Sequence, residues 1–177
     1  MMRVEAVKSI GGYNDGLIAG EEPELCVRLR REGWKIERLD AEMTLHDAAM
    51  TRFSQWWKRN VRSGYAFAEG SALHGNSPEK NWVKESRRIL FWGVLVPTVA
   101  TVGAVPTLGG SLLLFGGYPL SAYRAYKHTR GRGRSMEDSL AYAVSCTLGR
   151  LPELHGFAKY HWGVLRGKKS KLIEYKT

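Results

Sequence analysis

From Ile89 to Tyr123 the chain runs for 35 residues without a charge, and this stretch limits its possible folds more than any other feature. A run of that length exceeds the ~20 apolar residues that one membrane helix needs. Lys84, Arg87 and Arg88 precede it, and Arg124, Lys127, Arg130, Arg132 and Arg134 follow it. Basic residues beside membrane segments tend to stay on the cytoplasmic side. Both ends are therefore expected there, so that the run crosses an even number of times or enters and returns. Pro97, Pro106, Gly109, Gly110, Gly116 and Gly117 interrupt it. Pieces of about 15 to 17 residues are short for a ~30 Å hydrocarbon core, so a tight hairpin or re-entrant pair is expected. The alternative is a buried helical hairpin in a soluble core.

The net charge of +10 is spread unevenly. Residues 1–88 carry 15 Lys and Arg against 13 Asp and Glu, whereas residues 124–177 carry 12 against 4. The basic tail, with Gly167-Lys168-Lys169-Ser170-Lys171 near its end, suits anionic lipid headgroups. It contains no nucleic-acid reader motif, so no nucleic-acid partner is expected. Cys26 and Cys146 stand alone, which suggests neither a disulfide framework nor a zinc cluster. The first residues lack an apolar stretch of signal-peptide length. Residues 1–88 are accordingly expected at the cytoplasmic face of the plasma or inner membrane. Three regions follow: a domain over 1–88, a hydrophobic membrane hairpin over 89–123, and a basic tail with an amphipathic helix over 124–177.

Within the first region, Gly11-Gly12-Tyr13-Asn14-Asp15-Gly16 is rich in turn formers. The acidic turn Gly20-Glu21-Glu22-Pro23-Glu24 leads into a helix expected over Pro23–Glu32. Its acids complement the positive end of the helix dipole, and Gly33 is placed to cap the other end. Lys35–Leu39 and Glu42–Leu45 alternate in the manner of short strands. Arg52–Ala68 has the apolar spacing of a helix, Gly75-Asn76-Ser77-Pro78 marks a loop, and Ser139–Leu148 is a further helix candidate.

Taken in order, Gly11-Gly12-Tyr13, the stretch Gly20-Glu21-Glu22-Pro23-Glu24-Leu25 through Gly33-Trp34, His46, Gln55-Trp56-Trp57-Lys58-Arg59, Arg62-Ser63-Gly64-Tyr65 and the closing Leu172-Ile173-Glu174-Tyr175-Lys176 form a series. This series resembles the C-terminal half of a family 2 inverting glycosyltransferase with a membrane-associated region. The resemblance implies a partial GT-A-like α/β fold that lacks its N-terminal nucleotide-binding strands, followed by a mainly α-helical membrane-associated region. It also implies a nucleotide-sugar donor, a glycan or lipid-linked acceptor, and a divalent metal, Mg or Mn.

In such enzymes a carboxylate in the acidic turn takes the proton from the acceptor hydroxyl. Glu22 stands at that position and Glu21 is the second candidate, the alternative for both being simple helix capping. His46 falls where the family places a histidine near the metal and diphosphate, with Asp47 able to orient its ring. Gln55, Trp56, Arg59 and Arg62 fall where related proteins meet the acceptor or the leaving diphosphate. The Gln-x-x-Arg-Trp pattern of processive synthases is not met, which favours single addition. No Asp-x-Asp occurs in the chain, so a separate N-terminal half is the expected source of the metal-binding motif. A non-catalytic membrane anchor or interaction subunit derived from such an enzyme is the alternative.

Overall fold

A computed structural model describes residues 2–40 and 50–167. His46, Asp47 and the expected strand Glu42–Leu45 lie outside them, as does the Leu172–Lys176 motif. The first helices are α1 (Val4–Ser9) and α2 (Glu21–Arg31). Ala6, Leu25 and Leu29 bury their side chains together, with Ile10 and Trp34 packed against them. Pro23 sits in the first turn of α2, where its missing N–H costs no hydrogen bond. Gly33, at φ +81°, and Trp34 close the far end by donating to the carbonyls of Arg30 and Leu29.

The expected α/β class is not what the chain forms: no strand occurs among the described residues. Lys35–Leu39 is irregular and fully exposed to solvent. A strand exists only by hydrogen bonding to a neighbour, and no other extended segment lies beside this one among the described residues. Alternating side chains alone do not make a sheet.

The centre of the molecule is the crossing of α3 (Phe53–His74) and α8 (Arg150–Leu165). Helix α3 runs well past the expected Ala68. It contains Gly64 and Gly70, and α8 contains Gly156. A Cβ built on Gly64 would lie 1.9 Å from the Glu153 carbonyl oxygen, and one on Gly156 would lie 1.9 Å from that of Val61. The two backbones therefore touch directly, and Val61, Tyr65 and Ala68 are buried around them. Tyr65 and Tyr160 meet edge to face at 5.3 Å.

The neutral run folds as a helical hairpin. Its first arm joins α4 (Val83–Leu90), a π-helical turn (Phe91–Leu95) and α5 (Val96–Val102). The wide turn lies directly before Pro97, whose ring would otherwise press on the carbonyl four residues back. A bend closed by Leu108 and Gly109, both at positive φ, leads to a 3₁₀ segment (Gly110–Gly116) and α6 (Gly117–Arg130). Ser111 Oγ donates to the Ala100 carbonyl at 2.7 Å and ties the arms together. Helix α7 (Met136–Leu148), capped by Ser135, packs back against α6.

No helix among the described residues is long and apolar enough to cross a membrane. Each uncharged arm holds about 14 residues, or roughly 21 Å at 1.5 Å per residue, which is short of the ~30 Å core. The outer face of the hairpin is apolar and open: Val105 is 84% exposed, Leu108 97% and Leu113 83%.

Candidate functional site

The mouth of α2 carries the acidic turn. Gly20, at φ +85°, starts the helix, and a Cβ there would fall 2.0 Å from the Trp82 ring. Glu21 and Glu22 therefore occupy the first turn, where the helix dipole favours negative charge. Glu22 is exposed and Glu21 is half-buried. Across from them stands α3. Arg62 donates from Nη2 to the Ile18 carbonyl at 2.8 Å, and the same nitrogen lies 3.9 Å from Glu21 Oε1. A cavity of about 270 Å³ opens there, walled by Gly20, Arg59, Arg62, Ser63 and Trp82. Two guanidiniums thus share one cavity beside an acidic helix mouth.

The remaining predicted residues are placed differently. Gln55 lies one helical turn before Arg59, but its Oε1 accepts from the Thr51 and Arg52 amides at 3.0 and 3.1 Å and caps α3. Trp56 faces the opposite way and lines a second cavity against α6, α7 and α8. The structure thus brings Arg62 to Glu21 and sets Arg59 in the same cavity as Arg62, whereas Glu22 lies in the same helical turn but is not among the cavity walls, Gln55 caps α3, and Trp56 lines the other cavity. No group of three or more His, Cys, Asp or Glu side chains converges on a metal-sized site among the described residues. Those residues do not by themselves form the Mg or Mn site that the resemblance implies.

Beneath the mouth lies a buried network with one half visible in the sequence. Glu24, 2% exposed, receives Arg28 Nε on both carboxylate oxygens at 2.9 Å, the i,i+4 pair that spacing alone predicts. His74 Nε2, fifty positions away, lies 3.0 Å from Glu24 Oε1. Arg28 also donates to the Ile10 and Gly12 carbonyls at 2.6 and 2.7 Å, which fastens the glycine turn to α2. Burial pushes the Glu24 carboxyl up, but hydrogen bonds from Arg28 and His74, with their charges, outweigh it and hold the carboxyl below its ordinary range.

A depressed carboxyl stabilises the fold at pH above its unfolded value, near 4.5, and that contribution is lost as pH falls through the folded value. Glu24→Gln is expected to cost about 2 kcal/mol at neutral pH and to flatten the acid limb of the stability profile. Chemical denaturation from pH 3 to pH 7 measures both effects.

Trp82 was not legible as a site residue. It takes a left-handed backbone, φ +53°, and lays its ring against Gly20 and against Gly70, where a Cβ would come within 2.1 Å. It meets Phe67 edge to face at 5.6 Å. The ring roofs the Arg59 and Arg62 cavity and fixes where α2 begins. No family model matches this chain, and comparison with curated proteins and with solved structures finds no match either.

Proposed function

We propose that this chain is the acceptor-side, membrane-seated part of an inverting glycosyltransferase that joins a sugar from a nucleotide-sugar donor to a hydroxyl of a glycan or lipid-linked acceptor. One observation carries the reading: a cavity walled by Arg59 and Arg62 reaches Gly20, which precedes the acidic first turn of α2, and Arg62 stands 3.9 Å from Glu21. The resemblance carried by the ordered motifs supports it independently.

In this mechanism Glu22, exposed on the open side of the mouth, removes the acceptor proton. The freed oxygen attacks the anomeric carbon and the bond to the diphosphate breaks. The departing negative charge is met by Arg59 and Arg62. Glu21, paired with Arg62, holds that guanidinium in place. The nucleotide pocket comes from a separate N-terminal half that carries Asp-x-Asp.

The apolar hairpin seats the assembly at a bilayer surface. Its exposed leucines and valines enter one leaflet while Arg87, Arg88 and the basic residues after Tyr123 meet anionic headgroups.

The second reading, a non-catalytic anchor or interaction subunit, is favoured by the same contact seen otherwise. Arg62 also holds the Ile18 carbonyl, as a purely structural clamp would. Transfer of radiolabelled sugar from UDP- and GDP-linked donors to a membrane lipid extract separates the two. The assay uses the full chain co-expressed with a segment that supplies Asp-x-Asp. Glu22→Gln is expected to lower kcat at least 100-fold, with KM for the donor little changed. Unchanged turnover in the Glu21→Gln, Glu22→Gln double variant would overturn the mechanism in favour of the anchor.

A further inference from the structure

The second cavity, about 440 Å³, lies at the root of the hairpin among α3, α4, α6, α7 and α8. That volume is within the range of about 300–1,000 Å³ typical of small-molecule sites. Arg150, at the start of α8, reaches into it. Its guanidinium lies 4.3 Å over the Trp92 ring and 5.6 Å from that of Tyr118, and its Nη2 donates to Ser121 Oγ. Its other terminal nitrogen, Nη1, is buried and has no hydrogen-bond partner among the described residues. A buried guanidinium N–H left unmatched is costly, and the molecule keeps one here.

Arg88 lines the same cavity and pairs with Glu153 at 3.6 Å. Two guanidiniums therefore face one carboxylate, which leaves a positive surplus. Burial lowers the pKa of Arg150 and Arg88 repels it, while burial raises that of Glu153 against the pull of both arginines. Desolvation thus acts against the charges of Arg150 and Glu153. An incoming anion would relieve the arginines.

Trp92, on the first arm of the hairpin, and Ser121, on the second, line the cavity, and Phe91, Val94 and Leu95 beside Trp92 in the chain are exposed. A ligand with a phosphate head and an apolar tail matches both surfaces together. We propose that this cavity binds the phosphate group of an anionic lipid, with Arg150 Nη1 and Arg88 as donors and the lipid tail lying along the hairpin.

This inference rests on the membrane-seated reading, and its test is chosen to fail separately from it. Calorimetric titration of the full chain with dihexanoyl phosphatidic acid below its micellar concentration requires no bilayer. Binding at least tenfold tighter than inorganic phosphate is expected, weakened at least tenfold by Arg150→Gln and partly restored by Arg150→Lys. The change in tryptophan fluorescence, to which Trp56 and Trp92 of the cavity wall contribute, should follow the same order. Equal binding of inorganic phosphate and the short lipid would assign a free-phosphate site and overturn the lipid assignment. Absence of binding by both, or binding indifferent to Arg150→Gln, would overturn the site itself. Vesicle flotation reports on the hairpin alone: a chain that fails to float yet binds the short lipid keeps this site and loses the seated reading.

Discussion

Replacing Leu108 and Leu113 together with aspartate will abolish co-flotation of the chain with lipid vesicles and leave its thermal unfolding unchanged. Both side chains stand at the hairpin tip, 97% and 83% exposed, so the fold does not depend on them. A leucine near the middle of a bilayer is favourable by roughly 0.5 kcal/mol and an aspartate there costs about 3. Two such changes amount to roughly 7 kcal/mol at full depth. A hairpin that enters one leaflet keeps about half of that, roughly 3.5 kcal/mol, and a loss of about 300-fold in partitioning is expected. Flotation on vesicles of neutral and of mixed anionic composition measures it. The neutral vesicles isolate the apolar contribution, because the basic flanks add affinity only where the surface is anionic.

Gly156→Ala will unfold the α3–α8 crossing at a much lower temperature, and Gly64→Ala will do the same. A Cβ at either site would stand 1.9 Å from a backbone carbonyl oxygen, and at Gly156 also 2.7 Å from the Tyr65 amide nitrogen. Backbone cannot rotate aside as a flexible side chain can, so the helices must separate. Separation opens the packing around Val61, Tyr65 and Ala68. Overpacking of this kind costs about 3 kcal/mol, or a melting shift of about 10 °C for a chain of this size. Gly116→Ala is the control. Its backbone is right-handed helical and a Cβ there meets nothing within 4 Å, so it should be neutral or slightly stabilising. Circular dichroism melts compare the three variants.

Sequence legibility followed the range of each interaction. The helix after Gly20 and its end at Gly33 depend on residues within one or two turns, and both form. The hairpin arms follow from a charge-free run broken by glycines. What the sequence concealed depends on contacts between distant segments. Lys35–Leu39 alternates as a strand would, yet no partner strand stands beside it among the described residues. Gly70 lies beyond the expected helix end at Ala68, yet α3 continues through it, with the Trp82 ring packed against that point. Helix α8, with Pro152 in its first turn and Gly156 further in, has no strong apolar periodicity of its own. Its place is set by the crossing. Among the candidate residues, Arg62 stands near Glu21 and shares a cavity with Arg59, while the facing of Trp56 toward the other cavity required the full helix packing.

In the proposed membrane seating, the bare apolar tip of the hairpin lies in lipid while α2 and its acidic first turn remain at the surface. A nitroxide at position 108, introduced by Leu108→Cys in a Cys26→Ser, Cys146→Ser background, tests this directly on vesicles. Collision with oxygen should rise and collision with a water-soluble nickel chelate should fall on membrane binding, while a label at position 22 remains open to the chelate. Full access of the chelate to the label at position 108 in the vesicle-bound chain would contradict the account.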